Sequence, residues 1–134
     1  LHDALPIWFV FTAFDGKDVL RLLNEHSGEW TVKVGDEIQY SIKKQYSVNH
    51  LEFYGQAIDV LLPFSAGEYY KEYLTNIDYI AIELAKYNFV LESDKSFGEY
   101  VDKYKKLAKN GFSMTENDIL YSSLYHYYCF YRKK

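Results

Sequence analysis

At 134 residues, 49% of them hydrophobic and 25% charged, the chain is one domain at most and long enough to bury a core. Its formal net charge of −4 excludes a domain that grips nucleic acid mainly by neutralising phosphates. It leaves open one that reads a single base by stacking and hydrogen bonds. A lone cysteine, Cys129, permits no intrachain disulfide and suits a reducing compartment, and no apolar stretch reaches membrane-spanning length.

Residues 1–7 resemble a translated sequencing adaptor and are expected to be foreign to the fold. Residues 8–14 then form a continuous apolar, aromatic run, expected to be a strand buried on both faces. Asp15, with Asp18 three residues on, signals the N-cap of a helix over 17–23, where Val19, Leu20, Leu22 and Leu23 cluster; residues 24–28 end it. Trp30, Val32 and Val34 alternate, as do Ile38, Tyr40 and Ile42. The Gly35-Asp36 pair between them reads as a β-hairpin turn, with Gly35 supplying the positive φ.

After a polar break at 47–50, residues 53–62 read as another strand, closed by Pro63. Ser65 with Glu68 is a capping-box pattern. It predicts a long helix with an apolar stripe of Tyr70, Tyr73, Leu74, Ile77, Ile80, Ala81 and Leu84. A short strand follows at 89–91. A second capping box, Ser96 with Glu99, opens a helix through Val101, Tyr104, Leu107 and Ala108 that stops at Asn110-Gly111. Thr115 starts another helical turn through Ile119 and Leu120, and 124–131 reads as a well-buried last strand. This order is an α/β pattern and looks like half of a doubly wound sheet.

Several chemistries lack their signatures. The seven glycines are isolated, so neither a dinucleotide-type glycine loop nor a phosphate-cradling loop is present. The four histidines have no metal-ligand spacing and Cys129 stands in no zinc pattern, so no metal is expected. No nucleophile-elbow pattern supports covalent catalysis. Fifteen tyrosines are the positive peculiarity: a large ring with a polar tip serves a core or a semi-polar stacking pocket equally well.

Four segments carry a resemblance. They are Phe9-Val-Phe-Thr-Ala-Phe-Asp-Gly16 with the following Lys17–Leu23 stretch, Tyr54-Gly55-Gln56-Ala-Ile-Asp59 running on to Leu-Pro-Phe64, Lys71-Glu72-Tyr73-Leu74, and Ser123-Leu-Tyr125-His-Tyr-Tyr-Cys-Phe130. In this order and spacing the chain resembles the C-terminal part of the mRNA cap guanine-N7 methyltransferases, in the version found in large DNA viruses. The resemblance implies an α/β fold over 8–134: the C-terminal half of a Rossmann-like class I methyltransferase sheet dependent on S-adenosyl-L-methionine (SAM), with an inserted β-hairpin.

By the same resemblance, three residues contact the cap guanine. Glu72 accepts hydrogen bonds from guanine N1–H and N2–H, an edge where adenine presents an acceptor instead. Pattern alone makes it a solvated helix carboxylate sharing a face with Asn76, Tyr79 and Glu83. Tyr125 contacts the base, although pattern alone makes it a core tyrosine. Tyr54 is the third, and here the chain departs from the family: Ile58 stands where a tyrosine is common.

The implied reaction moves a methyl group from SAM to guanine N7. That lone pair is free, so alignment and electrostatics suffice without a general base. The cofactor, SAM, is expected to be bound mainly by an N-terminal half outside this sequence, which leaves this chain alone inactive. The implied partners are the capped 5′ end of mRNA and other capping-enzyme domains or a stimulatory subunit, with no membrane. The implied location is intracellular: host cytoplasm or virion for a viral protein, nucleus for a cellular one. Rival readings are a non-catalytic methyltransferase-like stimulatory or cap-binding subunit, a methyltransferase of the same fold acting on a small molecule, and a purely structural α/β module.

Overall fold

The computed structural model describes residues 5–108 and 110–133. The expected foreign heptapeptide thus falls largely on residues 1–4, outside the described residues. In chain order the elements are β1 (Trp8–Phe14), α1 (Gly16–Glu25), β2 (Glu29–Val34), β3 (Glu37–Lys44), β4 (Ala57–Leu61), β5 (Tyr70–Tyr73), α2 (Ile77–Ala85) and β6 (Phe89–Ser96). A 3-10 turn (Phe97–Tyr100), α3 (Val101–Leu107), α4 (Glu116–Ser123) and β7 (Tyr125–Arg132) complete the chain. They divide into two compact units, one of residues 14–76 and one of residues up to Ala13 together with those from Ile77 on.

The unit of residues 14–76 is a helix and a four-stranded meander in the order β2-β3-β4-β5. The Asp15 carboxylate accepts from the Asp18 N–H at 3.0 Å and caps α1, as the sequence predicts. Val19, Leu22 and Leu23 are the buried face of that helix. On the sheet, Trp30, Ile42, Val60 and Tyr70 occupy one cross-strand row; the first three are buried, and Trp30 stacks with Tyr40 at 6.1 Å. The neighbouring row, on the opposite face, reads Glu29, Lys43, Asp59, Lys71. Alternating charges across four strands favour this register over a slipped one.

Gly35 has φ 63°, the left-handed value its hairpin turn needs. Gly16 answers a different demand: a Cβ there would lie 2.5 Å from the Thr75 carbonyl oxygen, which accepts the Gly16 N–H at 2.8 Å. Gly16→Ala must therefore push backbone from backbone. The expected cost is about 1–3 kcal/mol, read as a lowered urea midpoint, even though alanine is the better helix former.

The other unit has the sheet order β1-β7-β6. Arg132 N–H donates to the Ile7 carbonyl at 2.9 Å, Trp8 packs on Tyr131 and Phe11 on Tyr128, so residue numbers rise on β1 as they fall on β7. One face carries Phe9, Phe11, Tyr128 and Phe130. Helix α2 covers it with Ile77, Ile80, Ala81 and Leu84, the apolar spacing expected of that helix. The other face carries Trp8, Val10, Thr12, Tyr127 and Tyr131.

The structure corrects several expectations. The long helix from Ser65 is absent. Its hydroxyl bonds back to the Leu62 carbonyl at 2.9 Å, and Ala66 (φ 53°) and Gly67 (φ 78°) take left-handed conformations that no helix continues through. Tyrosine-rich 70–73 then pairs as β5, and only the second half of the apolar stripe is helical. The β1 strand is not buried on both faces: Trp8, Phe9 and Val10 are exposed. The buried part of β7 is confined to Tyr128, Cys129 and Phe130.

The strand expected over 53–62 is shortened to β4. The strand expected at 89–91 extends to Ser96, and α3 ends at Leu107, before Asn110-Gly111. The pairings β2–β3, β3–β4, β4–β5 and β6–β7 are antiparallel rather than the parallel ladders of a doubly wound half. The reason is local in the meander. Connections of two residues after β2 and of eight after β4 are too short for the crossover that parallel neighbours require.

Candidate functional site

Glu72 lies on the edge strand β5, not on a helix. Its register partner is Ile58, fully buried, whose own partner on β3 is Lys44. Glu72 therefore shares the sheet face of Ile58 and Val60 while remaining half-buried. Among the described residues its side chain has no hydrogen-bond or ion-pair partner. An unpaired carboxylate at the rim of an apolar face costs stability unless a ligand donates to it. The helical spacing that grouped it with Asn76, Tyr79 and Glu83 does not apply, because residues 70–73 are a strand and α2 begins at Ile77.

Tyr54 sits on the loop between β3 and β4 and is 74% exposed. With His50, Leu51, Glu52 and Phe53 it lines an open cavity of about 550 Å³. Gly55 (φ 88°) turns the chain directly after it, which explains the aromatic-Gly pair. Buried Gln56 fastens the loop: its amide oxygen accepts from Glu52 N–H at 2.8 Å and its NH2 donates to the His50 carbonyl at 2.9 Å. Its backbone carbonyl takes the Leu74 N–H at 2.9 Å, joining this loop to the end of β5. Gln56 is a positioning residue that sequence reasoning passed over; a glutamine before a strand gives no signal of its own. Ile58, the departure from the family pattern, is core and contacts no solvent.

Tyr125 opens β7 in the other unit and is half-buried. Its ring meets Phe97 at 6.1 Å and Tyr121 edge-on at 5.7 Å, and the Tyr121 and Tyr125 hydroxyls lie 3.2 Å apart. The structure thus brings Tyr125 into an aromatic cluster, and sets Glu72 and Tyr54 on neighbouring strand and loop of a separate unit.

The strand-to-helix junction from β1 to α1 is closed by the chain's own groups. The Asp15 carboxylate already takes the helix N–H of Asp18, and the space beside Gly16 is filled by Thr75. This junction is therefore filled by the chain's own groups. Among the described residues no helix is long and apolar enough to cross a membrane.

The chain is a mixed α/β protein with antiparallel sheet pairings. Comparison with known proteins finds similarity to viral enzymes. The chain is 31% identical over 134 residues to the mRNA-capping enzyme of African swine fever virus, Badajoz strain, and equally to that of the Pretoriuskop tick isolate. Each match takes in 96% of this chain and 15% of the viral enzyme. The similarity runs over nearly the whole chain but over only a small part of the viral enzymes' own length. No protein-family model matches the chain.

Proposed function

We propose that this chain is the guanine-reading part of a viral mRNA cap guanine-N7 methyltransferase, one segment of a larger capping enzyme. The observation that carries the reading is the similarity to a viral mRNA-capping enzyme across 96% of the chain. On the unit of residues 14–76, Glu72 accepts from guanine N1–H and N2–H, with Tyr54 on the loop that Gln56 fastens; the resemblance assigns Tyr125 a contact with the base as well. The chain's own contribution is recognition: holding guanine so that N7 is presented to a methyl donor bound by other parts of the enzyme.

The unit containing β7 supports a Rossmann-like origin in one respect. β1 and β6 both run opposite to β7, hence parallel to each other, and α2 on the path between them packs on their sheet. That is a strand–helix–strand crossover with residues 14–76 inserted in the connection and β7 slotted between the parallel strands.

Binding of cap dinucleotides to the chain tests the reading. GpppG is expected to bind at least about ten-fold more tightly than ApppA, because adenine offers Glu72 an acceptor. Tyr125→Ala is expected to weaken GpppG by about 1–3 kcal/mol, the usual worth of one base-stacking ring. Equal affinity for the two dinucleotides would sink the assignment.

A further inference from the structure

A second cavity, of about 580 Å³, opens on the face of the β1-β7-β6 sheet that α2 does not cover. Its floor is a row across three strands. Lys95 is the register partner of Tyr127, Ser93 precedes Lys95 by two residues on the same face, and Thr12 of β1 completes the row. Its wall is the 3-10 turn, with Phe97 38% and Tyr100 44% exposed.

That wall is held firmly. The Ser96 hydroxyl accepts the Gly98 N–H at 3.1 Å and donates to the Ser123 carbonyl at 2.6 Å. Gly98 itself lies so close to Ser123 that a Cβ would come within 2.3 Å of its hydroxyl. The rings are therefore presented on a turn fastened to the end of α4.

Of the polar groups of this cavity, the Tyr127 hydroxyl is engaged by Cys129, while three others are uncommitted. Among the described residues Lys95, Ser93 and Thr12 have no side-chain hydrogen-bond or ion-pair partner. The nearest acid in sequence, Asp94, points to the other face of the strand, where His126 holds it at 2.6 Å. Two exposed rings, one unpaired ammonium and several hydroxyls match a flat base, a phosphate and ribose hydroxyls in turn.

We propose that this cavity is a nucleotide site, which takes a nucleoside monophosphate with its base against Phe97 and Tyr100 and its phosphate on Lys95. No carboxylate or amide stands among its lining groups to read a base edge, so it accepts adenine and guanine alike. In this it differs from guanine reading by Glu72 and does not depend on it. Phe97 also touches Tyr125, so within this unit the two aromatic surfaces adjoin.

Calorimetric titration of the chain with AMP, GMP and adenosine tests the proposal. AMP and GMP should bind within about three-fold of each other, and adenosine about ten-fold more weakly, having lost the phosphate contact. Lys95→Ala should bring AMP down to the level of adenosine. Phe97→Ala should weaken AMP and adenosine alike by about ten-fold. Both side chains are exposed, so circular dichroism should report unchanged folding. Glu72→Gln should leave AMP binding intact, which separates failure of this site from failure of the guanine reading. Absence of AMP binding to the folded chain, or AMP affinity unchanged in both Lys95→Ala and Phe97→Ala, would overturn the proposal.

Discussion

Phe130→Ala is expected to cost about 3–5 kcal/mol, enough to remove much of the stability of a typical small domain. Phe130 is fully buried on the central strand of its sheet. It stacks on Phe11 at 6.2 Å with an interplanar angle of 6° and lies opposite Leu91 in register. Ile77, Tyr128 and the underside of α2 close the cluster around it. A strand paired on both sides cannot move inward to fill the hole, so the cavity term adds to the lost transfer energy. Phe130→Leu, which keeps most of the volume, should cost less than about 1.5 kcal/mol. Val34→Ala, at an exposed position, should stay within about 0.5 kcal/mol. Urea denaturation followed by circular dichroism ranks the three. A Phe130→Ala cost near that of Val34→Ala would mean this strand is not the centre of a packed core.

The parts of this fold written in short-range chemistry were legible in the sequence. The Asp15 cap, the Gly35 hairpin turn and the helix start at Thr115 rest on contacts within four residues, and the apolar face of α2 shows in its three-and-four spacing. The parts that were not legible depend on partners distant in sequence. Residues 92–96 have the polar composition of a loop, yet they complete β6 because its pairing with β7 resumes from Ser93 to Ser96 after a register shift at Glu92. Ser65 and Glu68 have the spacing of a capping box, but the tight turn at Ala66 and Gly67 sends the chain back along β4. The candidate site shares this split. Tyr125 was placed correctly in the last strand. Glu72 was placed on the wrong element, and Gln56, Lys95 and Phe97 drew no attention, because what gives each its role is a neighbour more than one element away or a loop it holds.

Moving Glu72 from a helix face to a sheet edge sharpens what its substitution should do. Glu72→Gln is expected to weaken GpppG binding by on the order of a hundred-fold while leaving ApppA unchanged. The carboxylate offers two acceptors to two guanine donors, and a charge-assisted hydrogen bond contributes about 1.5–3 kcal/mol. Glutamine retains one acceptor and turns an N–H group toward the second donor, so one bond is lost and the other weakened. A net loss of about 3 kcal/mol corresponds to that hundred-fold change. The effect on folding should run the other way. The Glu72 side chain has no partner among the described residues and stands beside fully buried Ile58, so its charge is a burden on the free protein. Removing that charge should leave the urea midpoint unchanged or raised. A lower midpoint accompanying the lost binding would mark Glu72 as a structural residue of β5. Retained guanine preference in a stably folded Glu72→Gln protein would remove it from the site altogether.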